Sequence, residues 1–187
     1  MRRIQTGLVA GLALLALTGT VSGCSSDDGD EPIEGAETGP GSSEESENDD
    51  ESAAEAEVAD LYLAYWDAVI ELENGDELDR SLFDGLATTG VVESEVGRVS
   101  AFKDNGVHRE GEPTIENVTV TIDGDTARIE ACKNEADWRV VDGNGEVPDA
   151  VPENLQRPHP NVVTAERTDG EWLITATLPT EGATITC

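Results

Sequence analysis

An acidic block near the amino terminus limits where this chain can fold. Residues 25–57 contain 14 Asp and Glu, no Lys or Arg, and one large apolar residue, Ile33. Such a segment buries too little apolar surface to offset the entropy lost on ordering, and its like charges repel one another. We therefore expect a disordered acidic tether over residues 24–57 and a folded domain over residues 58–187. A tail that binds cations or a basic partner is the alternative use of this charge.

The first residues have the pattern of an export signal. Two arginines precede an apolar run over residues 8–17. This run is too short for a membrane-spanning helix, which needs about 20 apolar residues. Residues 21–24 read V-S-G-C, a branched apolar residue followed by two small residues and a cysteine. This tetrad resembles the bacterial lipobox.

The lipobox resemblance implies that residues 1–23 are a signal peptide and that Cys24 is lipidated through its sulfur. Two acyl chains hold a protein on a bilayer stably, whereas one chain is marginal. We therefore expect a protein anchored to the cell membrane on its extracytoplasmic face, in an oxidising space. An ordinary secretory signal with an incidental Cys24 is the alternative.

The charge of the whole chain argues against one class of partner. The sequence has 41 acidic and 11 basic residues, for a formal net charge of -30. So negative a protein repels phosphate backbones, which argues against nucleic-acid binding. Residues 58–187 contain two lysines, Lys103 and Lys133. A uniformly acidic, lysine-poor surface is typical of salt adaptation, which needs no partner to explain it.

The periodicity of the domain changes from helix to strand along the chain. Apolar spacings of three and four predict a helix from Val58 to about residue 74, followed by shorter helices over 82–87 and 91–103. Alternating apolar residues then predict strands over 115–122, 127–131, 138–141, 162–167 and 172–178. Helices followed by hairpins predict an α+β fold with helices on one face of an antiparallel sheet.

Several short motifs of the domain are similar to one known family. They are Y-x-x-Y-W-D-A at 62–68, G-x-P at 111–113, C-x-x-x-x-D-W at 132–138, V-V-D-x-x-G at 140–145 and D-G-x-W at 169–172. With these motifs the chain resembles actinobacterial lipoproteins that carry an NTF2-like (SnoaL-like) domain. The resemblance implies a cone in which N-terminal helices pack on a curved, mostly antiparallel sheet around a cavity. The wider fold includes isomerases, cyclases and accessory or binding domains, so fold does not decide function.

Two cysteines remain in the domain after lipidation of the third. In an exported protein, the simplest use of the pair Cys132 and Cys187 is a disulfide. Two free thiols with redox or metal chemistry are the alternative, although the sequence has no C-x-x-C motif.

Aromatic side chains are few and offer two interpretations. They could line a cavity that holds a small molecule, or they could simply form the core at helix and strand spacing. The candidates for the cavity lining are Tyr62, Tyr65, Trp66, Phe102, Trp138 and Trp172.

No residue is predicted to be catalytic. An isomerase of this fold would need a cavity carboxylate or a His–Asp pair as base. His108 and His159 lie in polar or proline-flanked loops, and Asp137 beside Trp138 is the least implausible acid. An ordinary turn carboxylate is the simpler interpretation of Asp137.

No cofactor or metal is predicted either. Asp142, Asn144 and Glu146 offer oxygen atoms at alternate positions, like the start of a calcium loop. The sequence D-G-N-G suits a hairpin turn better.

The sequence therefore predicts a lipid-anchored, extracytoplasmic domain with a non-catalytic binding or accessory role at the cell envelope. A small-molecule isomerase or cyclase that uses a cavity carboxylate is the alternative. The family resemblance also implies a homodimer through the sheet face. An enzyme would require a buried carboxylate or histidine with a raised pKa, whereas a binding module would not.

Overall fold

The computed structural model describes the backbone of residues 44–187. It describes the burial and contacts of side chains from residue 51 onward. Cys24, the predicted signal peptide and the first part of the predicted tether lie outside the described residues. Within the described part of the chain, no helix has the length and apolar content needed to cross a bilayer.

The first helix, α1, begins earlier than the sequence predicted. It spans Glu44–Asn74, so residues 44–57 of the expected disordered tether are helical. The composition of this segment accounts for the difference, because Ala and Glu are good helix formers. The first fully buried side chain in the described part of the chain is Val58, the residue at which the predicted helix begins.

Helix α1 buries one continuous stripe. Its members recur every three or four residues along the helix and are all less than a tenth exposed: Val58, Tyr62, Tyr65, Trp66, Ala68, Val69, Leu72 and Glu73. Most of the stripe packs on the sheet through apolar surface, which supplies the main driving force for folding. Its last member is a carboxylate, and this marks the end of the helix that faces the cavity described below.

The expected short helix over residues 82–87 does not form. A single 3-10 turn spans Arg80–Phe83, and the Asp79 carboxylate caps it by accepting from the Ser81 N–H at 2.9 Å. The chain becomes extended at Asp84, and Gly85 follows with a positive φ of 75°. The following helix, α2, spans Thr89–Lys103 and agrees with the prediction.

Seven strands follow the helices in the described chain and form two antiparallel sheets. Their bounds are β1 His108–Glu110, β2 Thr114–Asp123, β3 Thr126–Asn134, β4 Arg139–Asp142, β5 Gly145–Glu146, β6 His159–Thr168 and β7 Glu171–Leu178. The larger sheet has the order β2-β3-β6-β7, and the smaller one has the order β1-β4-β5. Core residues of α1, α2 and the larger sheet form one buried cluster. The predicted α+β class, with N-terminal helices packed on antiparallel sheet, is confirmed.

The irregular spacing of apolar residues in β2 has a structural cause. The pairing of β2 with β3 shifts register between Glu116 and Thr119, which is a β-bulge. Asn117 inside the bulge has a φ of 55°, a conformation that Asn tolerates better than most residues. Because Ile115 and Val118 are three residues apart, they would point to opposite faces of a regular strand. The extra residue of the bulge turns the Val118 side chain back to the face of Ile115.

The strand predicted over residues 138–141 pairs outside the main sheet. Strand β4 pairs with β1, with Val140 opposite Arg109, and with the short β5. This small sheet lies against the end of α1, because the Trp138 indole N–H donates to Asn74 Oδ1 at 3.0 Å.

The structure joins Cys132 of β3 to Cys187, as predicted. The segment after β7 is not a strand but a 3-10 turn, Thr180–Gly182, followed by irregular chain. It runs over the outer face of the sheet, where Arg128 donates to the Gly182 carbonyl at 2.6 Å and the Thr184 N–H donates to Glu130 at 3.0 Å. The disulfide fixes the end of this C-terminal segment on β3.

Candidate ligand-binding cavity

A cavity of about 240 Å³ lies at one end of the larger sheet, under α1. Along the inner face of the sheet, the side chains change from apolar to polar toward this end. Ala131 and Val163 belong to the buried core, whereas Lys133 and Asn161, two positions along the same strands, line the cavity. Since alternate residues of a strand share one face, the change of residue type alone turns the core into a polar site.

Helix α1 supplies one wall of the cavity. Tyr65, Trp66, Val69 and Glu73 all line it, at the three- and four-residue spacing of one helix face. The Glu73 carboxylate has only 3% of its surface exposed. It therefore requires cationic partners, because an unpaired buried charge is costly.

Two arginines supply those partners. Arg98 of α2 donates from Nη2 to Glu73 Oε1 at 2.6 Å, and Arg109 of β1 places its Nε 3.3 Å from Glu73 Oε2. The Arg98 side chain is 42% exposed, so it lies where the cavity meets solvent. Burial lowers the pKa of Arg98, but Glu73 and Glu95 raise it more, and the guanidinium stays charged.

A second buried carboxylate, Glu135, lies just after β3. Its Oε2 accepts from Arg109 Nη2 at 3.0 Å, and its Oε1 is 2.8 Å from Lys133 Nζ. Burial raises the pKa of Glu135, but Lys133 and Arg109 outweigh burial and hold that pKa below its ordinary value. Glu135 is therefore ionised at neutral pH, so it is a poor proton acceptor.

The third carboxylate, Glu95 of α2, holds a tyrosine. Glu95 Oε2 accepts from Arg98 at 2.5 Å, and Glu95 Oε1 accepts from the Tyr65 hydroxyl at 3.1 Å. Burial raises the pKa of Tyr65, and the neighbouring charge of Glu95 raises it further. The Tyr65 hydroxyl therefore keeps its proton and acts as a hydrogen-bond donor.

These six charged side chains alternate in sign along one connected path. We call it the ion-pair chain; its order is Glu95, Arg98, Glu73, Arg109, Glu135 and Lys133. It connects α2, α1, β1 and the end of β3. Since it contains three cations and three anions, its formal charge is zero in a domain that is otherwise strongly acidic.

Two of the cations also lie over aromatic rings. The Arg109 guanidinium is 4.3 Å from the centre of the Trp138 ring, and Lys133 Nζ is 4.6 Å from the centre of the Trp66 ring. Such contacts contribute about 0.5–2 kcal/mol each, and more where water is excluded. The aromatic rings that form the floor of the cavity, Trp66 and Trp138, and the cations of the ion-pair chain therefore hold each other in place.

Close backbone packing positions Trp138. Gly111 has a φ of 86°, and a Cβ there would lie 2.1 Å from the Asp137 carbonyl oxygen. The Gly111 carbonyl in turn accepts from Asn74 Nδ2 at 2.7 Å, while Asn74 Oδ1 accepts from Trp138. The glycine of the G-x-P motif is thus needed for the approach of the small sheet to α1.

The structure brings three of the six predicted lining residues together in this cavity: Tyr65, Trp66 and Trp138. Tyr62 is fully buried beside it, and its hydroxyl donates to Asn161 Oδ1 at 2.8 Å. Phe102 lies elsewhere and is 37% exposed. Trp172 lines a separate surface depression together with Glu57 and Leu61 of α1.

The residues considered for catalysis lie outside the cavity. His108 Nε2 is 3.8 Å from Glu110 Oε1, and His159 Nδ1 is 2.9 Å from the Arg157 carbonyl oxygen. Asp137 is an exposed residue in the loop before β4. None of the three is among the residues that line the cavity in the described structure.

The predicted turn at residue 142 is present. Asp142 Oδ1 accepts from the Asn144 backbone N–H at 2.7 Å, so this side chain closes the turn. Within residues 51–187, no group of three or more His, Cys, Asp or Glu side chains is placed to hold a metal ion.

Sequence reasoning missed the ion-pair chain, although two signals pointed to it. Glu73 occupies a position on the buried stripe of α1, where a polar residue needs a partner. Lys133 is one of two lysines in residues 58–187, and it follows the apolar positions of a buried strand at period two. The partners themselves come from distant parts of the chain and carry no local pattern.

The fold and the cavity together define a small α+β domain with a charged and aromatic cavity between its helices and its sheet. No protein-family model matches the chain, and no curated protein matches it.

Several solved structures are similar to this chain at low identity. A protein from Kribbella flavida has 18% identity and a TM-score of 0.41, over 65% of this chain and 86% of its own. The intermembrane space region of the chloroplast protein ARC6 has 13% identity and a TM-score of 0.47, over 65% and 92%. A candidate dehydratase of the NTF2-like family from Streptomyces avermitilis has 13% identity and a TM-score of 0.41, over 68% and 99%. Because these TM-scores lie below 0.5, the description of the fold rests on the chain's own strand order and contacts.

Proposed function

We propose that this protein is a lipid-anchored, extracytoplasmic lipoprotein whose NTF2-like domain has a non-catalytic binding or accessory role at the cell envelope. The observation that carries the non-catalytic part is the state of the cavity carboxylates. Glu73, Glu95 and Glu135 each accept from or contact at least one cation within 3.3 Å.

A general base needs a free lone pair and a pKa near the working pH. The pKa of Glu135 lies below its ordinary value and so further from neutral pH, because its two cations outweigh the effect of burial. The two tyrosines near the cavity are also unsuited to proton transfer, since burial raises the pKa of both Tyr62 and Tyr65. The cavity therefore offers fixed hydrogen-bonding groups rather than groups that exchange protons.

The alternative, an isomerase or cyclase, would require one of these carboxylates to be released from its cations when substrate binds. Glu73 is the better candidate of the two buried ones, because its Oε2 has no aligned hydrogen bond to Arg109. Releasing it would leave Arg98 with Glu95 but without its buried partner Glu73, which is unfavourable at a partly buried site.

Recovery of a retained small molecule would separate the two functions. The full chain would be purified natively, and any bound small molecule would be released by denaturation and identified by mass spectrometry. The recovered molecule would then be added to fresh protein. Unchanged molecule after prolonged incubation supports a binding role, and conversion to a product would overturn it.

The anchor is supported by the leader and the lipobox-like tetrad alone. We expect Cys24→Ser to move the protein from the membrane fraction to the soluble fraction, because the sulfur that carries the lipid is lost. Ser25→Ala, the adjacent substitution, serves as the matched control and should stay with membranes. If Cys24→Ser remained membrane-bound in the detergent-extractable fraction, the anchor would be refuted.

Mass spectrometry can locate the lipid directly. The chain has no Lys or Arg between position 3 and Arg80, so trypsin leaves the mature amino terminus on one peptide that ends at Arg80. We expect that peptide to begin at Cys24 and to carry the mass of its acyl chains. A peptide of unmodified mass would exclude lipidation.

A homodimer through the outer sheet face remains part of the proposal. The C-terminal segment runs over the part of that face near Glu130 and Cys132, so a second copy would have to pack beside it. Light scattering of the Cys24→Ser chain at high concentration tests this, and a monomer mass throughout would count against it.

A further inference from the structure

We propose that the cavity binds a small, uncharged, polyhydroxylated molecule of about monosaccharide size. This inference rests on the binding role proposed above and gives that role a class of ligand.

Unpaired polar atoms are concentrated in this cavity. In the described part of the chain, five buried side-chain N or O atoms have no hydrogen-bond partner, and three of them belong to residues that line the cavity. They are Trp66 Nε1, Glu73 Oε2 and Arg109 Nε. Buried polar groups are nearly always hydrogen-bonded, and leaving one unpaired costs about 1–3 kcal/mol. The Trp66 indole also contacts the Tyr62 hydroxyl, but without the alignment of a hydrogen bond. An occupant of the cavity is the partner that we assign to these two N–H donors and one carboxylate acceptor.

These atoms are held by residues that cannot turn away easily. Trp66 is 7% exposed and Glu73 is 3% exposed. Glu73 Oε2 and Arg109 Nε lie 3.3 Å apart without the alignment of a hydrogen bond, so each retains capacity for another partner. Thr177 and Asn161 add polar groups to the lining from the inner face of the sheet.

Charge balance selects against ionic ligands. The ion-pair chain is neutral, and each of its cations already has a carboxylate within 3.0 Å. An anion entering the cavity would meet Glu73 and Glu135, and a cation would meet Arg109 and Lys133. Each would also lose its hydration without gaining an unpaired counter-charge.

Hydroxyl groups fit what remains. A hydroxyl both donates and accepts, so a polyol can accept from the Trp66 N–H and donate to Glu73 without carrying charge. Its C–H surface can lie against the aromatic floor formed by Tyr65, Trp66 and Trp138. The cavity volume of about 240 Å³ is the volume that about eight water molecules occupy in liquid water, at about 30 Å³ each. This space is below the usual range for drug-sized ligands, about 300–1,000 Å³.

The test uses the full chain with Cys24→Ser, which keeps the domain intact and is expected to be soluble. The probes are myo-inositol and D-glucose as neutral polyols, glycine as a zwitterion and inorganic phosphate as an anion. Binding would be measured by calorimetry and by tryptophan fluorescence in the millimolar range. We expect a polyol to bind and glycine and phosphate not to bind. Absence of polyol binding, or preferred binding of glycine or phosphate, would overturn the ligand class.

Paired variants place the site. Trp66→Phe keeps an aromatic ring but removes the unpaired N–H, and it should weaken polyol binding about fivefold, which corresponds to one net hydrogen bond. Trp172→Phe makes the same exchange outside the cavity and should leave the affinity unchanged. Thr177→Val, at an exposed lining position, gives a second variant in case Trp66→Phe does not fold. If Trp66→Phe and Trp172→Phe changed the polyol affinity equally, the assignment of the site to this cavity would be contradicted. If Trp66→Phe is unfolded, full polyol affinity in Thr177→Val would contradict it.

The same samples distinguish failure of the ligand class from failure of the binding role. Proton NMR of the polyol after long incubation shows whether it is unchanged. Unchanged polyol with measurable affinity supports both proposals. Conversion of the polyol would overturn the non-catalytic role, whereas absence of binding would overturn the ligand class alone.

Discussion

Two buried carboxylates on opposite sides of the larger sheet have different partners. Glu135, beside the cavity, is held by Arg109 and Lys133, and Arg109 is 26 residues away in the chain. Glu130, on the outer face, is held by Arg128, two residues away, and by Thr184. In both cases burial raises the carboxyl pKa and the partners outweigh it, so both pKa values lie below the ordinary value.

The difference shows what each carboxylate stabilises. Glu135 connects β1 with the end of β3, so it helps to close the cavity. Glu130 connects the C-terminal segment to a strand that is already well paired on both sides. We therefore expect substitution of Glu135 to lower the stability of the whole domain. Substitution of Glu130 should mainly loosen the C-terminal segment, which the disulfide also restrains.

Loss of the disulfide should give the largest effect on the outer side. The Cys132→Ser/Cys187→Ser double variant should lose about 4 kcal/mol of unfolding free energy, because the bond closes a long loop in the unfolded chain. Urea unfolding followed by tryptophan fluorescence measures this loss. Dithiothreitol should destabilise the native chain similarly and leave the double variant unaffected. A native chain that is insensitive to reductant would contradict this role of the bond.

On the cavity side, we expect Glu135→Ala to cost about 3 kcal/mol, because removal of one partner of a buried ion pair leaves its cations uncompensated. The matched control is Glu153→Ala, which breaks the exposed pair with Arg157, in which the two side chains are 81% and 72% exposed. That change should cost less than about 0.5 kcal/mol. Urea midpoints of the two variants make the comparison, and similar losses would show that Glu135 does not connect elements as described.

Acid should weaken both sides of the sheet. The pKa values of Glu135 and Glu130 are lowered by folding, so the stability that they contribute is complete above the unfolded carboxyl pKa of about 4.3. It is lost as the pH falls through the lower folded values. Urea midpoints measured from pH 7 down to pH 2 should therefore fall steeply below about pH 4. Glu135→Gln and Glu130→Gln should each make that fall shallower, and a pH profile unchanged in both variants would contradict the assignment.

The parts of the fold that were predictable from sequence are those with a short-range signal. The stripe from Val58 to Leu72 identified α1, and the alternation around Ile129 and Val163 identified the central strands. The pairing of Cys132 with Cys187 followed from the small number of cysteines in a chain that is predicted to be exported. The bulge at Asn117 was visible only as an irregular spacing.

The parts that were missed depend on contacts between distant segments. The start of α1 at Glu44 was missed because acidic composition predicts disorder unless a helix is propagated from a packed neighbour. The turn at Arg80–Phe83 was taken for a helix because the left-handed conformation of Gly85 gives no periodic signal. The separate sheet of β1, β4 and β5 was missed because β1 and β5 are too short to show alternation.

The sequence alone was enough to predict the class of fold and the cysteine pair, because periodicity and residue counts are local properties. The membrane location that the leader pattern indicates stays a prediction. The tertiary structure alone decided which charges meet. Glu73, Arg98, Arg109, Lys133 and Glu135 become partners only when helices and strands pack around one cavity. Because most of these side chains are buried there, each of these charges needs its counter-charge within about 3 Å. This requirement makes the site one of paired charges rather than of free acids and bases.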